Sequence, residues 1–193
     1  MLNFSFVFVI RQITILFITC FCVSACSTVM NKDNIADSPS QTQSLMSKDA
    51  VREIISNEEK KNGIPSGILD SIAKVESRHN VYAVNTRKKV FVFKTKEEAV
   101  KFINTSVRNG CSNISVGCFQ LHYATHKKNF SSVENMLNAE TNVAYAANLL
   151  KELRNKYGSW EYAIKKYHSN KPKYNNVYYR KVMSVYNGLQ KAS

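Results

Sequence analysis

Apolar residues recur at helical spacing through most of the chain after residue 47, and turn-forming residues break the pattern into segments. Val51, Ile54 and Ile55 mark a first helix that Gly63 ends, and Pro65 stands near the first turn of a second, with Ile68, Leu69, Ile72 and Ala73 as its stripe. Residues 89–93 alternate like a short strand, and residues 113–116 predict a second strand that pairs with it. Between them, Thr95 and Glu98 form a capping box for a helix that turns Ala99, Val100, Phe102, Ile103 and Val107 inward. Ser131 and Glu134 form another. Asn138 caps a long helix with Val143, Ala146, Ala147, Leu150 and Leu153 on its inner face, ending at Gly158. Ser159 restarts a helix through Trp160, Ala163, Ile164 and Tyr167, and a last amphipathic helix covers residues 175–186. The pattern predicts a mainly α fold of the α+β type, with a small β-hairpin and helix inserted in it.

The N-terminus follows a different logic. Residues 1–25 carry one charge, Arg11, and an apolar run over residues 13–23, too short for a comfortable bilayer span but right for an export signal. The run ends in Val23-Ser24-Ala25-Cys26, which resembles the bacterial lipobox. By that resemblance Cys26 is a lipid attachment site that ties the protein to a membrane, and the location implied is the periplasm, at the outer membrane. An ordinary cleaved signal and an uncleaved anchor stay open, and both still export the domain, to the periplasm or beyond. Residues 26–47 are polar and aperiodic and read as a flexible tether, which leaves residues 48–190 as one domain.

Composition narrows the partner. With 44% apolar residues, six Gly and three Pro, and no internal repeat, the chain is neither a low-complexity polymer nor a solenoid. Its net charge of +13 favours an anionic partner: nucleic acid, an acidic membrane or cell-wall polymer. The lysines at Lys88-Lys89, Lys127-Lys128, Lys165-Lys166, Lys171 and Lys173 are scattered over several elements without a nucleic-acid module, and export removes the chain from nucleic acid. Once Cys20 and Cys22 leave with the signal and Cys26 is lipidated, Cys111 and Cys118 remain. If the segment between them is extended their Cα atoms stand roughly 23 Å apart, so a disulfide needs a turn, as at Gly117; pairing and separate burial both stay open. His122 and His126 stand four apart but lack a third ligand, so they read as a solvated pair rather than a metal site, and no cofactor is expected. The chain is read as a monomer.

Glu76 follows Ile68, Leu69, Ile72 and Ala73 at intervals of eight, seven, four and three residues, which puts it on the buried face of the second helix. A carboxyl there loses hydration and holds its proton toward neutral pH, the requirement for a general acid; position alone equally allows a Glu that bends outward or pairs with a Lys. The surrounding Glu76-Ser77-Arg78-His79-Asn80 resembles the Glu-Ser-x-x-Asn signature of the family 1 lytic transglycosylases, with their lysozyme-like SLT domain. Gly63-Ile64-Pro65 resembles that family's start, and Gly117-Cys118-Phe119-Gln120-Leu121 its Gly-Leu-Met-Gln-Ile segment. Asn142-Val143-Ala144-Tyr145-Ala146 resembles its Asn-[IV]-x-x-[AG] helix, and Ala163 to His168 its Ala-x-x-x-Tyr-Asn segment. Order and spacing both agree.

The resemblance implies a lysozyme-like fold and cleavage of peptidoglycan glycan strands at the β-1,4 bond between N-acetylmuramic acid and N-acetylglucosamine. Glu76 is the implied single acid and base, and the implied product is a 1,6-anhydro sugar. No second catalytic acid stands out in the sequence, and substrate-assisted glycosidases let the N-acetyl group replace one. The same resemblance makes Tyr167 the residue that orients Glu76. It makes Gln120, Phe119, Asn142, Tyr145 and His168 substrate-binding candidates, with Phe119 in place of the family Met and His168 in place of the Asn. Ser77 is the remaining candidate, although with Asn80 its position suits the helix end. A hydrolytic muramidase on the same fold, and a silent glycan-binding or secretion-assembly protein with a secretion apparatus as partner, stay open.

Overall fold

The computed structural model describes residues 46–86 and 89–192. The export signal, Cys26 and most of the tether lie outside the described residues. Met46 packs on the core, and Ser47 accepts a hydrogen bond from the Ala50 N–H to start α1 (Lys48–Asn62), which Gly63 closes in the left-handed conformation. The helix α2 (Ile68–Ser77) has no side-chain cap of its own. Glu59 of α1, 3% exposed, supplies one: its carboxylate accepts the N–H groups of Gly67, Leu69 and Asp70. Burial pushes the Glu59 carboxyl up, and these three donors offset only part of that.

After α2 come β1 (Ala83–Thr86), β2 (Val90–Val92), α3 (Lys96–Arg108), β3 (Ile114–Val116) and β4 (Leu121–His122). The short helices α4 (Tyr123–His126) and α5 (Val133–Met136) lead into α6 (Ala139–Tyr157), α7 (Trp160–His168) and α8 (Pro172–Ala192). The fold is the expected mainly α one with a small sheet. Thr95, Asn138 and Ser159 cap α3, α6 and α7 as their positions predict. Ser132 rather than Ser131 caps α5, and the last helix starts earlier and ends later than its apolar stripe, with Pro172 in its first position.

One correction concerns the sheet. β3 pairs with β1, not with β2, and the antiparallel order is β2-β1-β3-β4. The register aligns Val84 with Val116 and Val116 with Leu121 on a buried face. Because strand side chains alternate, the next rung, Asn85–Ser115–His122, lies on the opposite face. The core lies where α6 packs on α1 and α7, and where α2 and α7 pack on α8. No helix among the described residues is long and apolar enough to cross a membrane.

Candidate active site

Glu76 lies near the C-terminal end of α2, one turn beyond the fully buried Ile72 and Ala73. The helix is closed by two consecutive left-handed residues, Arg78 and His79, whose N–H groups reach back to Lys74 and Ala73. Left-handed backbone costs a non-glycine residue free energy, so the bend needs fastening. His79 supplies it, buried with Nε2 2.8 Å from Asp70 Oδ1, and Asn80 bonds the Ser77 carbonyl. Burial acts to raise the Asp70 carboxyl, but His79 and Arg52 outweigh it and hold Asp70 below the usual range.

Glu76 is half-buried in the wall of a cleft of about 310 Å³. The polar rung of the sheet, Asn85, Ser115 and His122, lines the same cleft, as do Gln120, Tyr167, His168 and His126. A second cavity of about 550 Å³ shares Glu76, Asn85 and His168 with it and runs along α8. Among the described residues, Glu76 is the one carboxylic acid on the wall of either cavity. Burial pushes its carboxyl up to about 7, although the Tyr178 hydroxyl partly favours the anion. That hydroxyl is buried and completes no hydrogen bond of normal geometry, and its own ionisation is pushed far up, first by burial and then by Glu76. The His168 ring stacks on Tyr178, centroids 4.3 Å apart and planes 5° apart.

The model of the transglycosylase SLT domain family matches residues 53–181, more than half of the chain. This chain belongs to that family. Comparison with curated proteins and with solved structures gives no match. The SLT family places the chain among enzymes of the lytic transglycosylase type, which degrade peptidoglycan.

Within this SLT domain the sequence-derived site divides in two. Glu76, Gln120, Tyr167 and His168 meet at the cleft. Gln120, at φ +48°, spends its amide nitrogen on the carbonyls of Gly117 and Ala83. Tyr167 reaches the cleft, but its hydroxyl donates to the Phe119 carbonyl at 2.9 Å instead of to Glu76, so the phenol that adjusts Glu76 is Tyr178. Phe119 and Asn142 are 0% and 1% exposed and form no groove wall. Asn142 accepts the Phe119 N–H and donates to the carbonyls of Met136 and Val116, holding the segment that carries Gln120. Ser77 turns inward, toward Ala73 and the Cys118 sulfur. Tyr145 lines a separate depression, and its hydroxyl meets His126 Nδ1 at 2.9 Å, supporting that ring from behind. Cys111 is exposed and Cys118 buried, both unpaired; burial pushes the Cys118 thiol up to about 12, leaving it inert.

Asn85, Ser115, His122 and His126 in the cleft, and Tyr178 in the adjoining cavity, are polar residues that spacing alone does not assign. The two histidines are half-buried on the cleft wall. Burial first, then His122, lowers the His126 imidazole, so a neutral ring faces the cleft at neutral pH. Period-two alternation through β3 and β4 is the signal that places Ser115 and His122 together.

Tyr178→Phe tests the pairing with Glu76. The hydroxyl lowers the Glu76 pKa, so its loss raises it, and the fall of activity at high pH moves to higher pH. A pH profile of kcat/KM for both proteins measures it; an unmoved limb contradicts the contact.

Proposed function

We propose that the protein is a lytic transglycosylase that cuts between N-acetylmuramic acid and N-acetylglucosamine, with Glu76 as both acid and base. The observation that supports this most is that Glu76 is the one carboxyl on the cleft wall among the described residues, in surroundings whose burial pushes it up to about 7. At neutral pH such a group is protonated about half the time, so one side chain can give a proton and take one back. Protonated Glu76 donates to the glycosidic oxygen as the C1–O bond breaks, and the N-acetyl oxygen steadies the cation at C1 in place of a second carboxylate. The Glu76 carboxylate then takes the proton of the muramic C6 hydroxyl, whose oxygen closes on C1. The product is a 1,6-anhydro ring, and Glu76 ends protonated as it began. The polar rung that lines the cleft together with Glu76 suits a sugar chain, since Asn85, Ser115 and His122 offer hydrogen-bond donors and acceptors.

Digestion of purified sacculi followed by mass spectrometry tests the reading. Anhydro-muropeptides are expected, each lighter by one water than its hydrolytic counterpart; reducing ends alone make the protein a muramidase instead. Export and lipid attachment at Cys26 belong to the same proposal, because the polymer lies outside the cytoplasm. Cys26→Ser is expected to leave the membrane fraction, and retention there contradicts lipid anchoring.

A further inference from the structure

On α8, Lys173, Val177 and Lys181 follow one another at four-residue spacing, with Tyr174 beside them, so one face presents two ammonium groups around aromatic and aliphatic surface. This face forms the outer wall of the larger cavity, next to Glu76. Both lysines are exposed, and among the described residues neither makes an ion pair. Tyr174 and Val177 are 51% and 43% exposed, with the Lys173 ammonium 5.9 Å from the Tyr174 ring centroid, so apolar surface lies open beside the two charges. Lys181 is also felt across the wall, since the His168 imidazole is lowered first by burial and then by that charge. Glu76, when protonated, offers no countercharge.

We propose that this cavity is a subsite for carboxylate groups that branch from the glycan, bound by Lys173 and Lys181 and packed on Tyr174 and Val177. The inference rests on the reading of Glu76 as the acid that cuts peptidoglycan. A neutral sugar backbone offers a pair of ammonium groups hydrogen bonds but no opposite charge, whereas a carboxylate offers both. Muramic acid bears a lactyl arm, which ends in its own carboxylate or carries a peptide that adds others. Either source delivers the same chemistry to the wall beside the scissile bond. Aliphatic and aromatic surface beside the charges suits the short carbon chain that connects a carboxylate to the sugar.

The full-length protein and its Lys173→Gln/Lys181→Gln variant are compared on peptide-bearing strands and on strands stripped of peptide by an amidase. A neutral chitin oligomer serves as the third polymer. The double variant is expected to raise KM about 10-fold on the carboxylate-bearing strands, with the loss on KM rather than kcat. The difference should shrink in about 0.5 M salt, where exposed pairs are screened, and chitin binding should stay the same. A loss confined to peptide-bearing strands identifies the peptide carboxylates; a loss as large or larger on stripped strands identifies the lactyl carboxylate. An unchanged KM on both strands, or an equal weakening on chitin, overturns the subsite. Equilibrium binding of the three polymers is read in parallel. A wild-type protein that binds but does not cleave overturns the role of Glu76, while the binding data still judge the lysines.

Discussion

Glu76→Gln is expected to lower turnover of peptidoglycan by about 10³-fold or more while binding of the polymer is largely kept, a rise of about 4 kcal/mol in the barrier. The amide has the size of the acid and keeps an acceptor for the Tyr178 hydroxyl, but it has no proton that it can give to a leaving oxygen and recover. Among the described residues no neighbouring carboxyl can stand in, because the cleft and the adjoining cavity are lined by no other acid. Folding is not what fails in this variant. The native surroundings already favour the uncharged form of Glu76, so a neutral amide meets no new desolvation cost, and thermal melting is expected to match or exceed that of the parent. Turnover on sacculi, taken with a melting curve, measures both; a variant that keeps a tenth of the activity uses another acid.

Gly117→Ala is expected to destabilise the domain by about 3 kcal/mol, combining left-handed strain with overpacking. Gly117 has φ +80°, and a Cβ there comes within 2.5 Å of Asn142 Nδ2 and 2.9 Å of its Cγ. Asn142 cannot swing aside. It is buried and holds the Phe119 N–H at 3.0 Å and the Met136 carbonyl at 2.9 Å. Asn142→Ala alone orphans those groups and costs about 3 kcal/mol as well, since unpaired buried donors and acceptors are expensive. Together the two substitutions are not additive, because the alanine at position 142 removes the atoms that the new Cβ strikes. Urea unfolding of the single and double variants measures the coupling. Full additivity, or a cost below about 1 kcal/mol for Gly117→Ala, contradicts the packing account.

Those two residues show what the sequence makes legible and what it hides. Capping is local chemistry, so Thr95, Asn138 and Ser159 mark their helices from sequence alone, and the stripe that ends in Glu76 follows from helical spacing. Strand order is not local. β1 is four residues of mixed burial with no alternation to announce it, and it becomes a strand because β2 and β3 pair on either side of it. The family motifs present a further difficulty. They mark residues that the site requires without separating those that touch substrate from those that brace the backbone beneath it. Gln120 and Asn142 stand in neighbouring motifs, yet one lines the cleft and the other is sealed behind Phe119. Tyr167 and Tyr178 illustrate the same limit: both are phenols near Glu76, and it takes the structure to show that Tyr167 donates to the Phe119 carbonyl while Tyr178 is the one that acts on Glu76.

In the proposed mechanism a carboxyl that titrates near neutral pH underlies the acid step, the base step and the dispensable second acid alike. Its titration can be observed directly by carbon NMR of a protein labelled at the glutamate side-chain carboxyls, with Glu76→Gln assigning the signal. A midpoint at about 7 is the result predicted, set by burial against the modest pull of Tyr178. Glutamic acid is then the active donor below that pH, and kcat/KM falls as pH rises through it. A midpoint at the ordinary 4.5 contradicts the account, because Glu76 is then an anion throughout the working range and has no proton to give.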